Sequence, residues 1–131
     1  MLAKDTIELK TIDGQQLNLC YAGLMNEARY PWVILVPKIE GAVELIDLNS
    51  KDRYQLLDEI SHVSKAMQKI FKPYKLNVAN LGNIVQQLHI HIIARQKTDH
   101  AWPGPIWGVG EVVPYSEEEL EKMKRLIEIA T

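Results

Sequence analysis

The chain has 131 residues, 47% of them hydrophobic, with 15 Lys and Arg against 17 Asp and Glu and a formal net charge of -2. That length fits one domain, able to bury roughly 65–70% of the surface its unfolded form exposes, and the charge balance excludes a surface built to neutralise many phosphates of a nucleic-acid polymer. The single cysteine, Cys20, excludes a disulfide framework or a Cys-rich zinc site; the opening "MLAKDTIELK" shows neither a charged n-region nor a long apolar h-region, and no apolar run approaches roughly 20 residues.

These features read as a soluble, cytoplasmic protein with no membrane partner. The first third alternates: "IELKTI", a turn at Asp13-Gly14 and "LNLCYAGLMN" predict a β-hairpin, with Cys20 as a buried structural thiol. "WVILVP", Trp32 to Pro37, is unbroken in apolar character and predicts a central strand buried on both faces, bracketed by Pro31 and Pro37. From Asn49 to Phe71 the period changes. Tyr54, Leu57, Ile60 or His62, Val63, Met67 and Ile70 recur at three- and four-residue steps, which predicts one amphipathic helix, capped by Asn49 or Ser50 and stopped at "KPYK".

A strand "KLNVANL", a turn at Gly82-Asn83 and a strand within "IVQQLHIHIIAR" follow. The glycines and prolines of "TDHAWPGPIWGVGEVVPY" predict a loop over the sheet. "SEEELEKMKRLIEIA" opens on Ser116 with Glu119 three residues on, a capping box before an apolar stripe of Leu120, Met123, Ile127 and Ala130, and predicts a C-terminal helix over 116–130. The order β-β-β-α-β-β-loop-α is that of a single α+β domain, 1–131, with a mainly antiparallel sheet.

The chain has four histidines and sets two of them, His89 and His91, in its most strand-like segment. If Gln86 to Ala94 is a strand, Leu88, Ile90 and Ile92 point one way and Gln87, His89 and His91 the other, in a row spaced about 6–7 Å. Three readings are open. The row is the wet face of a sheet, or a metal site that still needs a third and fourth ligand, or one imidazole is a nucleophile oriented by its neighbours. No metal or cofactor is expected, because His62 on the helix and His100 in the loop form no recognisable ligand pair. His62 reads as structural, His100 as exposed.

The segment Gln87-Leu88-His89-Ile90-His91-Ile92-Ile93 resembles the motif of the histidine triad (HIT) superfamily of nucleotide hydrolases and transferases: His, apolar, His, apolar, His, then two apolar residues. Gln87 stands where the first histidine would be. "WVILVPK", "LNVANLGNIVQQLHIHIIAR" and "AWPGP" are similar to further parts of the family, and the resemblance spans about residues 14–108. Together with "LMNEARYPW" and "WPGPIWG", it is most like a bacterial branch called diadenosine tetraphosphate hydrolase-like.

The resemblance implies a HIT-like fold: a five-stranded, mainly antiparallel sheet with one long amphipathic helix and a C-terminal helix, commonly as a homodimer. It implies a nucleotide substrate, a dinucleoside polyphosphate or nucleoside phosphoramidate, cleaved at the α-phosphate through a covalent nucleotidyl-histidine. His89 would be the nucleophile, His91 its support, and the main-chain carbonyl at Gln87 the group that fixes the attacking ring. Asn83 would contact phosphate and Asn77 would stand near the same pocket. Asn26 and Glu27 would meet the ribose hydroxyls, and the Trp102–Trp107 segment would lie near the phosphate site or the dimer interface, with Trp102 the site candidate. Arg29 and Arg95 could meet phosphate as well. Two departures change the chemistry. Gln87 donates a hydrogen bond but supplies no proton, and Trp32, at a place where many members have another histidine, removes a polar member of the site. The competing function is a nucleotide-binding module without efficient turnover.

Overall fold

The computed structural model describes residues 5–129. Strands β1 (Thr6–Leu9), β2 (Cys20–Met25), β3 (Trp32–Pro37), β4 (Lys75–Ala79) and β5 (Ile90–Arg95) form one sheet of order β1-β2-β3-β5-β4, with every neighbouring pair antiparallel. Helices α1 (Ser50–Phe71) and α2 (Glu117–Ile129) complete the α+β fold, and a short 3-10 turn, Leu45–Asp47, leads into α1. Ala130, expected at the end of the C-terminal helix, lies outside the described residues. No helix among the described residues is long and apolar enough to cross a membrane.

Both strand faces are covered, which explains the unbroken apolar run of β3. Val33 and Leu35 join Ile90, Ile92 and Ala94 in a core roofed by Val63 and Met67 of α1 and Ile127 of α2. Trp32, Ile34 and Val36 face the other way, with Ile93, Tyr30 and Ile106 of the loop.

Asn49 caps α1, its Oδ1 accepting from the Asp52 amide at 2.8 Å, and Lys72 ends the helix in a left-handed conformation. The helix rotates its apolar stripe away from the expected one. Leu56, Glu59, Val63, Ala66 and Met67 are buried, whereas Tyr54 and Leu57 are 71% and 59% exposed.

The hairpin strands are shorter than the alternation predicts because other partners take their backbone. The Lys10 amide donates to the Glu128 carboxylate, and the amides of Asn18, Leu19 and Cys20 converge on that of Glu59 at 2.8–3.0 Å. Between them Asp13 and Gly14, with φ of 48° and 77°, make the expected tight turn. Their amides donate to the Ile127 and Glu128 carbonyls at the end of α2. Ser116 and Glu119 form the capping box at its start.

The strand expected over 86–94 begins only at Ile90. The Leu88 amide donates to the Ala42 carbonyl at 2.8 Å instead of entering the ladder. Residues 80–89 therefore run as an irregular segment, and Gln87, His89 and His91 do not form a flat row.

Candidate active site

His91 sits on β5 opposite Ile34 of β3, on the sheet face away from α1, and is 4% exposed. The indole Nε1–H of Trp32 donates to its Nδ1 at 3.0 Å, and its Nε2 lies 2.9 Å from the Leu81 carbonyl. An indole nitrogen can only donate and a carbonyl can only accept. His91 is therefore neutral, with its proton on Nε2 and its lone pair on Nδ1. Burial lowers its pKa most, the Leu81 bond opposes that, and the neighbouring His89 lowers it further. Reading Trp32 as the loss of a polar group is thus corrected: its ring is apolar, but its N–H fixes the tautomer of His91.

His89 stands just before β5, its ring edge-on to His91 with centroids 4.9 Å apart and an interplanar angle of 77°. Its Nδ1 lies 2.8 Å from the main-chain carbonyl of Gln87, so the proton is on Nδ1. Nε2 then carries the lone pair and meets no hydrogen-bond partner among the described residues. The side chain of Gln87 turns to the Ile39 carbonyl at 3.3 Å. Gly82 packs directly on the imidazole. A Cβ there would stand 2.7 Å from His89 Cε1 and 2.7 Å from the Val85 carbonyl oxygen, so only glycine fits without movement.

Both rings line a cavity of about 710 Å³ with Asn83 and Gln87. Its walls are largely apolar: Met25, Ile34, Val36, Leu81 and Trp107. Among the described lining residues Asp5 is the one carboxylate, and there is no Lys or Arg. An anion bound here would rely on neutral donors rather than on fixed cations.

Of the residues expected at the site, Asn83, Gln87, His89 and His91 come together at this cavity. Four others do not line it: the polar groups of Asn77, Asn26 and Glu27, and the ring of Trp102, are engaged elsewhere. Asn77 Oδ1 accepts from Arg95 at 2.7 Å, and Asn26 Oδ1 from the Tyr115 amide at 2.9 Å. Glu27 is 1% exposed and accepts from the backbone and guanidinium of Arg29. Burial alone would raise its pKa, but these bonds and the Arg29 charge hold its carboxyl below the usual range. Trp102 stacks beneath Arg95 and against Tyr74. The loop tryptophan that reaches the site is Trp107, edge-on to both His91 and Trp32, which lines the cavity as well. The resemblance set this segment near the phosphate site or the dimer interface, but nothing in a loop of prolines and glycines tells Trp107 from Trp102.

Arg29 and Arg95 are likewise engaged. Arg29 binds Glu27 and the Val109 carbonyl, and Arg95, buried, binds Asp99, Asn77 and the Gly104 carbonyl. His62 holds the Ile12 carbonyl at 2.7 Å and His100 is exposed. Cys20 is a buried thiol whose pKa is pushed up, chiefly by burial. Among the described residues no group of three His, Cys, Asp or Glu could hold a metal ion.

The HIT domain family model matches residues 10–98. A histidine triad protein from Marinobacter aquaeolei VT8 is 44% identical, with a TM-score of 0.87 over 95% of this chain and 87% of that one. One from Bradyrhizobium japonicum is 41% identical, with a TM-score of 0.87 over 98% and 97% of the two chains. A third, from Sinorhizobium meliloti 1021, is 39% identical, with a TM-score of 0.88 over 95% and 92%. No curated protein matches the chain.

Proposed function

The chain belongs to the HIT domain family, a superfamily of nucleotide-binding hydrolases and transferases, and from that premise we propose that it is a nucleotide hydrolase or nucleotidyl transferase working through a covalent intermediate on His89. The observation that carries this reading is the 2.8 Å contact of His89 Nδ1 with the Gln87 carbonyl, which leaves Nε2 as a lone pair at the cavity. A neutral imidazole held in that tautomer is an activated nucleophile. Its Nε2 attacks the α-phosphorus of a dinucleoside polyphosphate or nucleoside phosphoramidate, an N–P bond forms, and the leaving group departs. Water, or another acceptor in the transferase case, then displaces His89 and releases the nucleotide. His91, neutral and packed edge-on, supports the attacking ring without placing a second positive charge beside it. Asn83 supplies an amide to the phosphate, and the apolar lining suits a planar base. Asn26, Glu27, Asn77 and Trp102 shape the surroundings rather than touch substrate. The same reading makes the molecule a homodimer.

The test is incubation with diadenosine tetraphosphate and with adenosine 5'-phosphoramidate, with mass spectrometry of the quenched protein. Adenylated His89 and turnover lost in His89→Ala, with circular dichroism unchanged, are expected. A second reading, a nucleotide-binding module without turnover, draws on the glutamine at position 87. Tight binding of AMP with neither adenylation nor turnover would establish that module instead.

A further inference from the structure

Among the described residues, the cavity holds few means of delivering a proton to a departing atom. Three titratable residues line it among those described: Asp5, His89 and His91. The proton of His89 is on Nδ1, held by the Gln87 carbonyl on the side of the ring away from the attacking nitrogen. The proton of His91 is on Nε2 and directed at the Leu81 carbonyl, while its Nδ1 is filled by the Trp32 N–H. A second proton on His91 would set N–H against N–H at Trp32. Asp5 is exposed at the rim, and an ionised carboxylate only accepts. The Gln87 amide and the Trp107 indole donate hydrogen bonds but cannot give up a proton at any working pH.

We infer that no described residue of this site serves as a general acid, and that Trp32, by locking His91 in one neutral tautomer, restricts turnover to nucleotides whose leaving group departs as a stable anion. The substrate class is the phosphorus anhydride: a nucleoside 5'-phosphate joined through oxygen to a phosphate or polyphosphate. This rests on His89 being the nucleophile. In the first step the Nε2 lone pair forms the N–P bond. The P–O bond breaks with its electron pair on the departing phosphate oxygen, which needs no proton. The intermediate is a nucleotidyl-imidazolium whose Nδ1–H stays on the Gln87 carbonyl. With a phosphoramidate the bond to break is P–N, and the amine must be protonated before it can leave. Trp32 is a positioning residue in this scheme, because it acts through His91 and not on the substrate.

The experiment compares kcat/KM for diadenosine tetraphosphate and adenosine 5'-phosphoramidate on the full chain. A general acid contributes about 10²- to 10⁴-fold, so a preference for the anhydride of that order is expected. Gln87→His, which adds a titratable donor to the cavity lining, is expected to raise the amidate-to-anhydride ratio by about tenfold or more. In wild type, nitrogen-15 NMR of the histidine rings at pH 7.5 is expected to show His91 with Nε2 protonated and Nδ1 bare, and Trp32→Phe to make Nδ1 take up a proton at higher pH than wild type does. Equal kcat/KM for the two substrates overturns the inference while leaving the nucleophile intact. A protonated or reversed His91 in wild type at pH 7.5 overturns it too, as does amidate turnover that is lost selectively in Asp5→Asn. Absence of both adenylation and turnover with either nucleotide would instead overturn the proposed function on which the inference rests.

Discussion

Gly82 shows how closely the residues around His89 are fitted. With a Cβ only 2.7 Å from the imidazole and from a backbone oxygen, Gly82→Ala must push the ring or the 80–89 segment aside. A displacement near 1 Å at a reacting group costs about 10²-fold in rate. Gly82→Ala is therefore expected to lose about that factor in kcat on diadenosine tetraphosphate while its thermal midpoint changes little. His91 gives a pH prediction. Burial holds its folded pKa below the unfolded value of about 6.5, so the unfolded chain binds the extra proton first. The stability that goes with neutral His91 is present in full above about pH 6.5 and is lost as the pH falls through the lower folded pKa. Thermal midpoints measured from pH 7.5 to 5 are expected to decline below pH 6.5, with a shallower slope in His91→Asn. The two histidines were legible because their spacing marks a motif. The donor role of Trp32 was not, because an indole in an apolar run reads as bulk until strand pairing sets its N–H against a particular ring nitrogen.

Among the elements, α1 does more than roof the sheet. Its Glu59, 4% exposed, accepts the amides of Asn18, Leu19 and Cys20 and the Gln55 side chain, and so fixes where β2 begins. Glu59→Ala would leave buried donors unsatisfied. Each costs about 1–3 kcal/mol, and a total near 3 kcal/mol is expected by urea denaturation, with turnover by the remaining folded fraction retained. The existence of α1, its cap at Asn49 and its end at Lys72 were all written in local chemistry. Which face it buries was not: Tyr54 and Leu57 match the period as well as Leu56 does, and only the sheet beneath decides between them. The late start of β5 has the same origin. The bond that keeps Leu88 out of the ladder comes from Ala42, a residue remote in sequence, and no local pattern announces it.

At the scale of the whole molecule, the sheet has two edge strands, β1 and β4. The sheet ends on β4, whose outer side pairs with no strand among the described residues, and an unpaired edge is a template for another chain. Val78 on that strand is half-exposed, and α1 turns Tyr54 and Leu57 to solvent, so strand edge and helix face together offer an apolar surface. A two-fold axis beside β4 would pair the strand with its own copy in a ten-stranded sheet, and one surface would serve both chains. The cavity lies on the sheet face opposite α1, so a contact through the helix does not cover it. Light scattering after gel filtration is therefore expected to give twice the chain mass of 15.0 kDa. The double variant Tyr54→Glu, Leu57→Glu is expected to give the single-chain mass, with unchanged circular dichroism and continued turnover of diadenosine tetraphosphate. A wild-type protein that is monomeric at micromolar concentrations would refute the pairing. A variant that becomes monomeric and inactive while staying folded would show instead that the second chain takes part in forming the site.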